Sequence, residues 1–155
     1  EETERSAAAI RASEERFRKM ANSTPAIIWT AGPTGAITFH NERWLKYTGI
    51  DPRDNVHRWP ELVLHPEDYQ RCVDAWGEAL RTGQEYEIEV RNRRHDGEYR
   101  WFLTRATPIR DDAGRILEWY GSATDIHDRK VAEFALKDAD RRKDEFLAML
   151  AHELR

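Results

Sequence analysis

The chain runs to 155 residues with a net charge of −4, 39% hydrophobic and 35% charged residues, six tryptophans and one cysteine, a balance that supports one folded domain with exposed helical extensions. The negative charge excludes a global attraction to nucleic acid or anionic lipid, and the lone Cys72 excludes an intrachain disulfide and fits a reducing, cytoplasmic setting. No run approaches the roughly 20 apolar residues of a membrane span, and a chain that starts without methionine and stops inside a helical pattern reads as an excerpt of a longer protein.

Residues 1–22, EETERSAAAIRASEERFRKMAN, lack Gly and Pro and predict a linker helix. Ile10, Ser13, Phe17 and Met20 alternate at spacings of three and four, the seam of a short coiled coil, although a helix packed on its own domain produces the same pattern. NSTPA then breaks the helix at Pro25, and residues 23–126 form the globular zone. AIIWTAG and AITFHN flank the turn-rich GPTG and predict a hairpin. Asn41 stands at the N-cap of a short helix, ERWLKYTG, which Gly49 closes, and Asp51 with Pro52 starts another.

HPEDYQRCVDAWGEALRTGQ predicts the clearest helix, with Pro66 at its start, Glu67 and Asp68 at the positive dipole end and Gly83 at its stop. Its apolar stripe of Tyr69, Val73, Trp76 and Leu80 reads as core packing in preference to a ligand-binding face. In EYEIEVRNR, Tyr86, Ile88 and Val90 alternate with charged residues, a half-exposed strand. HDGE turns it into YRWFLTRATPIR, and DDAG turns that strand into RILEWYGSATDI. Arg91, Arg93, Arg94 and Arg100 bracket the first turn among glutamates and read as a solvated face. Two strands, several helices and a three-strand meander predict an α+β domain with an antiparallel sheet.

Residues 127–155 return to an uninterrupted helix, about 40 Å long at 1.5 Å per residue, with Asp125 or Asp128 as its cap. At roughly 100° per residue, Phe146, Leu147, Leu150 and Leu154 cluster on one side and His152 lies opposite their centre. The tail therefore offers an apolar stripe to a helical partner and its imidazole to solvent. A neutral imidazole is nucleophilic through one ring nitrogen when a neighbour holds the proton on the other, and Glu153 adjoins it. Upstream, Val131 and Phe134 are followed by Asp138, Arg141 and Glu145, a weak heptad seam.

SEERFRKMANSTPAIIW, GAITFHNERWLKYTGI, HPEDYQRCVDAWGEALRTGQEYEIEVRNRRHDGEYRWF and ATPIRDDAGRILEWYGSATDIHDRK together resemble a PAS domain followed by its PAC motif, over about residues 16–130. The resemblance implies a five-stranded antiparallel sheet with short helices on one face, where a small-molecule ligand can be enclosed. KDEFLAMLAHELR resembles the H-box that opens the dimerisation and phosphoacceptor domain of bacterial two-component sensor histidine kinases. That likeness implies that His152 accepts phosphate, that Glu153 is its general base, and that the phosphoryl group passes to an aspartate on a response regulator receiver domain. It also implies that Asp125 and Ile126 couple the sheet to the tail helix. A homodimer through the flanking helices would make rotation or register the transmitted quantity. No glycine-rich nucleotide site occurs in the chain, so ATP and Mg belong to a catalytic domain of the parent protein and the fragment alone is expected to be inactive.

Neither haem nor a photoreactive flavin is expected. The position of the haem ligand in oxygen-sensing relatives is Val73, while His57, His65 and His95 lie outside the long helix; the flavin cysteine motif is absent, and Cys72 reads as a small buried thiol. Trp29, Trp44, Trp59, Trp76, Trp101 and Trp119 read mostly as core, with a pocket for a planar ligand as the alternative. Two other readings of the whole share the fold: a ligand-free PAS module for dimerisation or protein contact, and a PAS sensor feeding a different output domain.

Overall fold

Local chemistry sets most element boundaries in the computed structural model, which describes residues 1–154. The chain divides into two units, Glu1–Asp125 and Ile126–Arg155. The first runs from helix α1 (Glu2–Ser23) through strands β1 (Ile27–Ala31) and β2 (Ile37–His40) to helices α2 (Glu42–Thr48), α3 (Pro52–Val63) and α4 (Pro66–Thr82). Strands β3 (Tyr86–Arg93), β4 (Tyr99–Arg110) and β5 (Ile116–Asp125) complete it, and the second unit is the helix α5 (His127–Glu153).

Asp51 Oδ1 accepts a hydrogen bond from the Arg53 backbone N–H at 2.8 Å and Pro52 opens α3. His65 Nδ1 accepts from the Glu67 N–H, and Pro66 opens α4. Gly49 and Gly83 end α2 and α4 with φ of 67° and 70°, a backbone region that a Cβ disfavours.

The strands form one antiparallel sheet in the order β2-β1-β5-β4-β3, the five-stranded α+β architecture expected. The last strand is therefore central, held between β1 and β4. Helices α2, α3 and α4 pack on one face, and the core lies between them and inward residues such as Trp29, Val90, Phe102 and Trp119. Burying each such side chain contributes about 1.5–3 kcal/mol. On the opposite face, the Phe17 ring of α1 meets Phe39 and Tyr120 at 5.5 and 5.8 Å between centroids. Phe17 is thus the member of the N-terminal seam that packs on its own domain, while Ile10 and Met20 stay exposed.

Four local expectations change. The N-cap of α5 is Ile126, with no side-chain cap hydrogen bond, in place of Asp125 or Asp128. Asn41 occupies the N-cap position of α2 but does not cap it: its Nδ2 donates to the Ala21 and Ala26 carbonyls at 2.8 and 2.9 Å, tying the end of α1 and the start of β1 to this corner. Asp68, expected to serve the helix dipole, is buried and reaches across to Arg91 of β3. The α4 stripe does not simply fill the core, since Tyr69 and Val73 are 45% and 47% exposed and stand in the wall of a cavity. Periodicity reports which face of a helix is apolar, and says nothing of whether protein or empty space lies opposite.

Candidate functional site

The sheet and α2–α4 enclose a cavity of about 270 Å³. Strand alternation delivers Ile27, Trp29, Val90, Asn92 and Ala123 to it, and the helices deliver Trp44, Trp59, Tyr69, Val73 and Trp76. Core and pocket are not exclusive roles for the tryptophans. Trp29 and Trp44 are buried core residues that also line the cavity, with Trp59 and Trp76 beside them. Trp119 is fully buried, and Trp101 carries the Arg91 guanidinium 4.9 Å from its ring centre.

The cavity rings meet edge to face: Trp29 and Trp76 at 5.6 Å, Trp44 and Trp59 at 5.8 Å, Trp76 and Tyr86 at 4.9 Å. Two glycines permit this packing. The Trp29 ring lies so close over Gly121 of β5 that any Cβ there would run into it. Gly35, with φ of 100°, lets the β1–β2 turn approach α4, where a Cβ would meet Leu80 at 2.5 Å and where Trp76 Nε1 donates to the Gly35 carbonyl at 3.1 Å.

Sequence reasoning passed over the polar groups of this wall. Trp44 Nε1 donates to Asn55 Oδ1 at 2.8 Å, and Asn55 Nδ2 lies 2.9 Å from His40 Nδ1. With the Asn55 oxygen taken by Trp44, its amide donates to His40 Nδ1, which leaves the ring proton on Nε2. Stacked on Trp44 at 4.6 Å and buried, the His40 imidazole is held neutral, its pKa pushed down to about 3 by desolvation. The one signal for it in the sequence was the hairpin register, which pairs His40 with inward Trp29. Asn92, 3% exposed, lines the cavity with its Oδ1 buried and without a partner among the described residues. Cys72 Sγ lies 3.4 Å from Tyr86 Oη, and burial pushes both the thiol and the phenol up. No Asp, Glu, Lys or Arg side chain lines the cavity among the described residues. Nor does any group of three or more His, Cys, Asp or Glu gather there or elsewhere among them as a metal site.

At the end of β5, Asp125 accepts from Arg100 of β4, at 2.7 Å from Nε and 3.3 Å from Nη2. Burial, reinforced by the Asp125 charge, pushes the Tyr47 phenol of α2 up to about 12. Ala123 of the cavity wall lies two residues before Asp125, on the same face of the strand. Ile126 follows as the N-cap of α5, its carbonyl accepting from the Lys130 N–H at 2.9 Å.

The arginines near the β3–β4 turn are engaged with acids. Burial alone would push the Asp68 carboxyl up, but the backbone N–H, Nε and Nη2 of Arg91 donate to it at 2.7–3.0 Å and hold it below the usual range. Arg94 pairs with Asp96 and Glu98 at 2.7 Å each.

Helix α5 is continuous to Glu153, and both His152 and Glu153 are exposed. Phe146, Leu147, Leu150 and Leu154 are exposed too, and α5 buries none of its described residues. Within the weak seam, Asp138 takes up both Arg141 and Arg142, at 2.7 and 2.9 Å. Among the described residues, no helix is long and apolar enough to cross a membrane.

Residues 37–123 match the family model described as PAS fold. Over 135 residues the chain is 35% identical to y4lL, an uncharacterized protein of Sinorhizobium fredii, a match covering 87% of this chain and 16% of that protein. Over 117 residues it is 34% identical to the peroxide stress-activated histidine kinase mak1 of Schizosaccharomyces pombe, covering 75% of this chain and 7% of the kinase. The crystal structure of a sensory box histidine kinase/response regulator from Burkholderia thailandensis superposes with a TM-score of 0.62 at 27% identity, over 84% of this chain and 98% of that one. The chain spans less than a fifth of the length of these two curated relatives.

Proposed function

The chain belongs to the PAS family, and on that premise we propose that it is the sensory segment of a two-component histidine kinase, with the cavity as input and His152 as output. The carrying observation is the run of β5, which lines the cavity at Ala123, is pinned to β4 through Asp125 and Arg100, and leads within two residues into α5. Similarity to mak1 and to the Burkholderia thailandensis protein supports the kinase context.

A ligand entering the cavity stabilises one arrangement of the sheet and so biases the base of α5 through Asp125 and Ile126. Two copies pair through their flanking helices, with Phe146, Leu147, Leu150 and Leu154 as the tail's contact face. In the cytoplasm, a His152 ring nitrogen attacks the γ-phosphorus of ATP held with Mg by a catalytic domain of the parent protein. The bond from phosphorus to the ADP oxygen breaks, a phosphorus–nitrogen bond forms, and the imidazole proton passes to Glu153. The phosphoryl group then moves to a receiver-domain aspartate of the response regulator.

We propose neither haem nor flavin as the ligand. An apolar cavity of about 150 Å³ takes one benzene ring, so a volume of about 270 Å³ favours roughly two fused rings over a porphyrin or a three-ring flavin. The sequence also lacks the cysteine motif of a photoreactive flavin site, which supports a reading without one.

The test is incubation of the full-length protein with γ-labelled ATP and Mg. Acid-labile label mapping to His152, and absent from His152→Gln, is the expected result. Label elsewhere, or none, overturns the kinase reading.

A further inference from the structure

We propose that the cavity selects a neutral, planar bicyclic heteroaromatic whose ring N–H donates a hydrogen bond to Asn92, a ligand class that rests on the input-site reading above. Size, charge and one orphaned atom converge on it. The volume of about 270 Å³ sets the two-ring scale. Trp29, Trp44, Trp59 and Trp76 supply flat apolar walls, and the wall carries no carboxylate, lysine or arginine; of its two histidines, His40 is buried between Asn55 and Trp44 and His57 is exposed. An ionic ligand would be desolvated there with no buried counter-charge, which is far costlier than burying a neutral ring.

Asn92 fixes the polar end. Four buried side-chain polar atoms lack a partner among the described residues: Asn41 Oδ1, Tyr47 Oη, Asn92 Oδ1 and Trp119 Nε1. Only Asn92 belongs to the cavity wall. Strand alternation puts it on the inward face in line with Tyr86, Ile88 and Val90, where an apolar side chain would fill the space without an unmet acceptor. A buried carbonyl oxygen with no donor is destabilising and calls for a partner. A ligand N–H meets that need, and a site built to receive a hydrogen bond rejects an isostere that lacks the donor.

Indole and benzofuran have nearly the same shape and differ in the N–H that benzofuran lacks. Each is titrated into the chain by calorimetry, with the tryptophan Nε1–H signals followed by NMR. The expected result is indole binding at least about tenfold tighter than benzofuran, a difference of about 1.4 kcal/mol, with shifts at the cavity tryptophans. In Asn92→Leu, which leaves no acceptor, the two ligands bind equally. The wild-type comparison needs no variant, so a misfolded substitution does not blunt the test. Equal affinity of indole and benzofuran overturns the Asn92 assignment while leaving the cavity as an input site. Binding of tetramethylammonium in preference to both overturns the neutral-ligand claim, again sparing the site. No shift at any cavity tryptophan with any probe overturns this proposal and the input-site reading together.

Discussion

Acidification provides a sharp test of the His40 environment. Its imidazole is buried, stacked on Trp44, and depressed from 6.5 to about 3. In the unfolded chain the ring takes up a proton below its ordinary value, whereas in the folded chain it stays neutral down to about 3. The unfolded state therefore binds more protons throughout that window, and stability falls as pH drops from about 6.5 toward 3. Between pH 7 and pH 5 this single group removes about 2 kcal/mol. His40→Gln keeps an acceptor for Asn55 Nδ2 but cannot titrate, so it loses that component. The assay is urea denaturation at pH 7 and pH 5, followed by tryptophan fluorescence, on both chains. The expected result is a pH-dependent loss about 2 kcal/mol larger in the wild type than in the variant. Equal losses would refute a neutral, desolvated His40.

Gly121→Ala forces a Cβ into the Trp29 ring; overpacking of this kind costs about 2–3 kcal/mol, and thermal denaturation would show a midpoint lowered by about 6–10 °C with altered near-UV circular dichroism. Asp68→Asn weakens the charge-assisted bonds from Arg91 and is expected to cost about 2 kcal/mol at pH 7. Because the Asp68 carboxyl is held below its ordinary range, that contribution is present above about pH 4 and lost as pH falls through the folded value, so denaturation curves of wild type and variant converge in acid. Asn41→Ala removes the Nδ2 bonds to Ala21 and Ala26, and hydrogen exchange at the α1–β1 corner is expected to accelerate about tenfold or more.

Most of the fold was legible because its boundaries rest on local chemistry. Asp51–Pro52 and His65–Pro66 start helices wherever they stand, Gly49 and Gly83 stop them, and the alternation from Tyr86 to Val90 fixes a strand face. The cavity was less legible because it depends on what long-range packing leaves empty. Tyr69, Val73, Trp76 and Leu80 have the spacing of an ordinary core stripe, and only the placement of β1 and β5 opposite them opens a cavity. His40, Asn55 and Asn92 acquire their character from partners 11 or more residues away, or from the lack of one. The tail was read from the opposition of His152 to its leucines and from a family resemblance, and its exposed apolar side chains are compatible with a helical partner. Asn41 shows the limit of cap rules: the position was right, but a buried corner offered its side chain better partners than the helix end.

The proposed coupling from the cavity to His152 is tested most directly by filling the cavity and cutting the junction in the same protein. Val73→Trp places a bulky ring at the half-exposed cavity wall as a surrogate occupant, and Asp125→Ala removes the tie to Arg100. The measurement is the rate of His152 labelling from γ-labelled ATP in the full-length protein for the wild type, each variant and the pair. Filling the cavity is expected to change the rate about fivefold or more when Asp125 is present, and by less than about twofold in the Asp125→Ala background. A change of the same size in both backgrounds would contradict transmission through β5 and Asp125.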